Sequence, residues 1–207
     1  MKPPLCFPLR PLTALLLLAF LWAAAGKAQG QGKYSPQYNQ LTVLDSTDMV
    51  VASIYSASKI SLGLGEEVGL LFINTRTGQS VRVELPPPFQ IDATALKESG
   101  RYRKERPVII IGGDKAWNQN DKLDSNDLRA LFITTSTGQG LQQVSPKGEH
   151  LVHWKMQKTT NALTFITKAD SNRDGKFDEK DVNKVYVFHL TEEKLTPVNT
   201  GDPQATR

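Results

Sequence analysis

Apolar residues in this chain come in short runs separated by polar turns, and the runs repeat. M-V-V-A-S-I-Y (49–55), P-V-I-I-I-G-G (107–113) and A-L-T-F-I-T (162–167) are rich in β-branched residues. Runs of that length and composition predict strands. Each is followed by a second apolar run, and these three runs align without gaps. They are G-L-L-F-I-N-T-R-T-G-Q (69–79), A-L-F-I-T-T-S-T-G-Q (130–139) and K-V-Y-V-F-H-L-T-E-E (184–193), at offsets of 60 and 54 residues. The turn T-x-T-G-Q recurs at Thr75, Thr77, Gly78, Gln79 and at Thr135, Thr137, Gly138, Gln139. A short third run follows each turn: S-V-R-V-E-L-P, G-L-Q-Q-V-S-P and K-L-T-P-V. H-L-V-H-W-K-M (150–156) adds a further strand before the third unit. The pattern predicts an all-β chain of up to four strands per unit, in three units at about 49–86, 87–146 and 147–198.

The segments between these runs are less regular. P-P-P-F-Q-I-D-A-T-A-L-K-E-S-G (86–100) reads as a connection with one short helix over residues 92–99, capped by Asp92 and ended by Gly100. Residues 29–48 and the tail 199–207 are polar and expected to be flexible.

The stretch with the clearest chemistry is D-S-N-R-D-G-K-F-D-E-K-D at 170–181. Oxygen side chains fall at loop positions 1, 3, 5, 9 and 12: Asp170, Asn172, Asp174, Asp178 and Asp181. Gly175 stands at position 6, where such a loop turns sharply, and Lys176 at position 7 offers its carbonyl. Hard divalent cations take six to eight oxygens, and this alternation supplies them on a tight loop. An ordinary turn uses Asp, Asn and Gly too, but rarely in this register. The expected cofactor is Ca2+.

These residues resemble the EF-hand calcium loop, and more closely its dockerin-type and bacterial variants, which often end in Asp, as Asp181 does here. Phe177 stands at position 8, where a smaller aliphatic residue is usual. The flanks A-L-T-F-I-T-K-A and V-N-K-V-Y-V-F-H-L read as strands and not as the helices of a hand. The loop is therefore expected between strands, without a calmodulin-like switch. The 54-residue offset lays residues 116–127 on 170–181. Asn118, Asn120, Asp124 and Asp127 match ligand positions, while Ala116 replaces the first ligand and Asp121 the glycine. This reads as a decayed second loop. In the first unit K-I-S-L-G-L-G-E-E stands in its place.

The repeats together resemble secreted bacterial β-propeller repeats of the TolB or peptidase-propeller kind. Trp154, Phe165, the acidic loop and Val185–Tyr186–Val187 carry that likeness, over residues 107–198 well and 49–86 loosely. It implies propeller blades, but closed propellers have at least about four and only three units are present. Three units form an open or partial propeller, unless two chains complete a ring as a homodimer.

Processing changes the charge picture. Lys2 and Arg10, an apolar run over Leu12–Ala25 and small residues at Gly26 and Ala28 predict a secretory signal peptide over residues 1–28. A membrane anchor needs about 20 apolar residues, more than this run has. The only cysteine, Cys6, lies in the leader, so the mature chain has no thiol chemistry. The whole chain carries 25 Lys and Arg against 21 Asp and Glu, and the leader holds three of the basic residues. The mature chain is thus nearly neutral, and net charge gives no case for a nucleic-acid partner. The one basic cluster, R-Y-R-K-E-R at 101–106, reads as a solvated loop.

No nucleophile elbow, phosphate loop or H-E-x-x-H occurs. His150 and His153, three apart on a strand, are expected on opposite faces, which is poor geometry for a shared metal. Trp154 reads as core packing beside Val152 and Met156, and Trp117 as a binding or loop aromatic. His189 reads as packing or exposed. Scattered carboxylates support no glycosidase pair. The expectation is a secreted or periplasmic, calcium-binding, non-enzymatic module for binding or assembly, with an unknown protein or glycan partner. The alternative is an accessory protein of a hydrolase or carbohydrate-active system with structural calcium. A dockerin-like element would need two good loops and two helices.

Overall fold

A computed structural model of the chain describes residues 37–56, 66–98, 100–119 and 122–201. The leader, the glycine-rich stretch 59–65 and the last six residues lie outside them. The described residues form three four-stranded antiparallel sheets. The first holds β1 (Gln37–Val43), β2 (Met49–Tyr55), β3 (Glu67–Asn74) and β4 (Ser80–Val83). The second holds β5 (Phe89–Ala95), β6 (Pro107–Asp114), β7 (Leu128–Thr135) and β8 (Gln142–Gln143). The third holds β9 (Glu149–Gln157), β10 (Ala162–Ala169), β11 (Val182–His189) and β12 (Lys194–Pro197). Strands follow chain order within every sheet, so each in-sheet connection joins antiparallel neighbours.

Two expectations from the sequence change. The helix over 92–99 is absent: Phe89–Ala95 is strand β5, paired along β6 with a bulge between Ile91 and Ala93. The alanine, leucine and lysine there favour a helix locally, but Ile91 is buried in the core and the β6 ladder takes the backbone. The first sheet also starts earlier, with β1 drawn from the stretch expected to be flexible. Its side chains are almost all exposed, which is why no apolar pattern marks it.

Two cores separate the three sheets. The first gathers Val51, Leu70, Phe72 and Val83 of the first sheet against Val108, Ile110, Ala130 and Phe132 of the second. The other gathers Ile109, Leu131 and Ile133 of the second sheet against Leu151, Leu163, Phe165 and Phe188 of the third. Alternate residues of β6 and β7 therefore enter opposite cores. This explains why those two strands read as continuous apolar runs and not as alternating ones. Each fully buried Ile, Leu or Phe contributes roughly 1.5–3 kcal/mol. Gly113 of β6 has no room for a side chain, since a Cβ there would stand 2.2 Å from Leu123. That contact seats the β6–β7 loop on the sheet.

The alternating chain direction sorts the connections into two ends. The turns after β1, β3, β5, β7, β9 and β11 share one end; the loops after β6 and β10 share the other. The recurring T-x-T-G-Q turns lie at the first end, with Gly78 and Gly138 at φ of 73° and 80°. The basic cluster 101–106 also lies there, and it is not a solvated loop. Tyr102 is fully buried and donates its hydroxyl to Gly140 O at 3.1 Å. Arg103 grips the Glu193 carboxylate of the third sheet with two bonds of 2.8 Å. Arg106 donates to Asp45 O of the first sheet and to the Lys97 and Glu98 carbonyls. Glu105 accepts Ser136 Oγ, Thr137 N and Thr137 Oγ1. Arg103, Glu105 and Arg106 tie turns from all three sheets together, while Arg101 and Lys104 are exposed. Among the described residues no helix is long and apolar enough to cross a membrane.

Candidate metal centre

Residues 170–181 span the gap between β10 and β11, whose last pair is Ala169 with Val182. The closed ladder brings the two ends of the loop together. Inside it the side-chain oxygens cap the loop's own amides. Asp170 accepts Asp174 N at 3.1 Å and Gly175 N at 3.0 Å, one on each carboxylate oxygen. Asn172 Oδ1 accepts Asp174 N, and Asp174 Oδ1 accepts Lys176 N at 2.9 Å. Asp178 Oδ1 accepts Lys180 N at 2.8 Å. Asp181 closes the ring, with Oδ1 taking Ser171 N at 2.9 Å and Oδ2 taking Asp178 N at 3.0 Å. Arg173 and Gly175 take positive φ, 60° and 78°, at the sharp turn. Asp181 is buried, which by itself pushes its carboxyl up. The amide and hydroxyl bonds from Asp178, Ser171 and Asn172 outweigh that and hold it below the usual carboxylate range.

All five predicted side-chain ligands therefore sit in one ring, facing loop amides. A carboxylate has about four lone-pair sites, so an amide bond leaves capacity for a cation. No three His, Cys, Asp or Glu side chains among the described residues converge closely enough to hold a metal by themselves. A cation at this loop must also draw on Asn172 and on the carbonyl of Lys176.

The second sheet braces the loop. Phe177, at position 8, stacks between Trp117 and His150, with ring centroids 5.2 and 4.9 Å away. Trp117 Nε1 donates to Gly175 O at 3.0 Å. Gly175, held by this indole, and the stacked Phe177 flank Lys176 in sequence. His150 Nδ1 lies 3.0 Å from Asp127 O and 3.3 Å from Arg129 N. Burial lowers the pKa of His150 more than its contact with Asp127 O raises it. His150 and His153 do not lie on opposite faces. A bulge at Val152 pairs His153 with Ile166 and His150 with Lys168, residues on one side of β10. Trp154 and Met156 pack on the second core, whereas Val152 is half exposed. His189 pairs with Lys194 at the far end of β11.

The loop after β6 repeats the second half of this design. Asp124 N donates to Asp127 Oδ2 at 2.7 Å, as Asp178 N does to Asp181. Asn126 N donates to Asp124 Oδ1 at 2.8 Å, as Lys180 N does to Asp178. Gln119 takes φ of 61°, matching Arg173 at the 54-residue offset. The first halves differ: Ala116 has no carboxylate, and Asn120 and Asp121 lie outside the described residues. The two loops together line a cleft of about 720 Å³, with Trp117, Asn118, Asn126, Asp174, Lys176 and Asp178 on its walls.

A polar cluster below the acidic loop has no signal in the sequence. Glu149 is nearly buried and accepts Thr167 Oγ1 at 2.6 Å, Lys184 Nζ at 2.9 Å and Tyr186 OH at 3.2 Å. Burial, with the Glu149 charge beside it, pushes the Tyr186 phenol up to about 12. The four residues come from three strands and meet only through register. Every polar group is paired, and the cluster anchors the strand ends from which the loop springs. No protein-family model matches this chain, and a search of curated proteins finds no match either, so the reading of the site rests on its own residues.

Proposed function

We propose that this chain is an exported, calcium-stabilised β-repeat protein that acts as a non-enzymatic binding or assembly module. The observation that carries the reading is the closed ring at 170–181, in which five oxygen side chains at EF-hand spacing each cap a loop amide. Ca2+ would be held by Asp170, Asn172, Asp174, the Lys176 carbonyl, Asp178 and Asp181, in the manner of EF-hand-like and dockerin-type loops. The ion supplies positive charge to a stretch with five carboxylates and three basic residues. The protein's own part is to hold the oxygens in place through amide bonds and through the Trp117 and Phe177 brace. The three sheets are read as successive blades of an open, TolB-like propeller array, and the leader places the protein outside the cytoplasm, secreted or periplasmic.

The cleft favours a second reading. An aromatic pair beside Asn118, Asn126, Asp174 and Asp178 suits a sugar, whose apolar face stacks while its hydroxyls bond. On that reading the chain serves a carbohydrate-active system and calcium is structural.

The test of the calcium reading is thermal unfolding with calcium and with a chelator, on wild type and Asp170→Ala. Calcium should raise the wild-type melting temperature and raise that of Asp170→Ala far less. Identical wild-type curves in the two conditions would reduce the loop to an acidic turn.

A further inference from the structure

We infer that the loop after β6 also holds a divalent cation, on Asp127, Asp124 and Asn118. Asp127 is completely buried. Its Oδ2 takes the Asp124 amide, but its Oδ1 is buried with no hydrogen-bond partner. No hydrogen-bond donor reaches it. An unpaired buried carboxylate oxygen costs roughly 1–3 kcal/mol or more, and native interiors rarely keep one.

Comparison with the other loop shows what has gone. The matching oxygen, Asp181 Oδ1, takes the Ser171 amide at 2.9 Å and the Ser171 hydroxyl at 3.3 Å. Trp117 stands where Ser171 does, and it gives neither bond. Its amide turns back to Asp114 O at 3.1 Å, and its indole N–H is committed to Gly175 O. Asp127 Oδ1 has therefore lost both donors while keeping its burial. A proton on this carboxyl would need an acceptor of its own. A cation satisfies the oxygen directly. Asp124, in the same half-loop, and Asn118, at the third position of the loop, bear further oxygens and are joined to each other by Asn118 Nδ2 on Asp124 Oδ1 at 3.3 Å. Two carboxylates and an amide oxygen suit a hard cation that keeps several waters. With fewer charged ligands than 170–181, this site is the weaker of the two. The inference stands on Asp127 and does not require 170–181 to be occupied.

The test is calcium titration calorimetry on the folded mature chain. Wild type should take up two ions per chain. Asp170→Ala/Asp174→Ala should keep one, the weaker. Ala116→Asp added to that variant supplies the missing first ligand and should tighten the remaining site about tenfold or more, as an added carboxylate does. Asp127→Asn in the same background should lose it, with the far-ultraviolet spectrum checking that the sheets persist. Terbium luminescence sensitised by Trp117 gives a second readout. If the double variant binds nothing and Ala116→Asp restores nothing, the second site is refuted while the first stands. If a single wild-type ion survives Asp170→Ala/Asp174→Ala and disappears with Asp127→Asn, the second site stands and the reading of 170–181 fails.

Discussion

At the turn end of the stack, Arg103 and Arg106 bring positive charge to carbonyls and a carboxylate of distant turns; at the loop end, carboxylates are met by neutral amides. The turn end is complete in itself. Arg106 binds three carbonyls, Arg103 a carboxylate, and Tyr102 fills the space beneath. The loop end keeps spare lone pairs on Asp170, Asp174, Asp178 and Asp181, and an unpaired oxygen on Asp127. One end uses cations carried on side chains, and on our proposal the loop at the other borrows one. The same fold thus has a stability that divalent cations should alter at one end only.

That contrast can be broken in order of effect. Tyr102→Ala should cost most, about 3–5 kcal/mol in urea unfolding, since it empties a fully buried site and frees Gly140 O. Calcium at about 100 times its dissociation constant should add about 2.7 kcal/mol. The gain should be the same in Tyr102→Ala as in wild type, because distant sites add, and much smaller in Asp170→Ala, where only the weaker site remains. A calcium gain that shrank with Tyr102→Ala would mean that the ends are coupled.

The third test reads the interior of the loop end. Tyr186 is pushed up to about 12 from 10.0, so its stabilising share is full below pH 10 and fades as pH rises toward 12. The loss should be about 1 kcal/mol by pH 11. Glu149→Gln removes the neighbouring charge and should bring the phenol's spectroscopic titration down. The smallest effect belongs to Arg103→Ala. Its pair with Glu193 is well exposed, with 43% and 34% of the two side chains accessible. The change should stay within about 1 kcal/mol and disappear in high salt.

How much of this was legible in the sequence depended on distance along the chain. Strands β6, β7, β10 and β11 announce themselves, because burial on one or both faces demands dense apolar runs. The oxygen spacing of 170–181 is a local pattern and reads directly. Strand β1 does not, since Q-Y-N-Q-L-T-V buries almost nothing, and β5 does not, since A-T-A-L-K-E-S prefers a helix until β6 pairs with it. The basic run 101–106 misleads because its partners, Asp45 and Glu193, lie about 60 and 90 residues away. The bulge that turns His150 and His153 to one side, and the Glu149 cluster, exist only in the register between strands.

The two dry faces of the middle sheet set how the molecule can come apart. Either outer sheet can peel from its neighbour by wetting a single core, leaving the remaining pair with one core intact. The middle sheet has no such option, because Val108 and Ile110 face one way and Ile109 the other. Freeing it wets both cores at once. Partial unfolding therefore begins at the outer sheets, and β6 and β7 are the last strands to open.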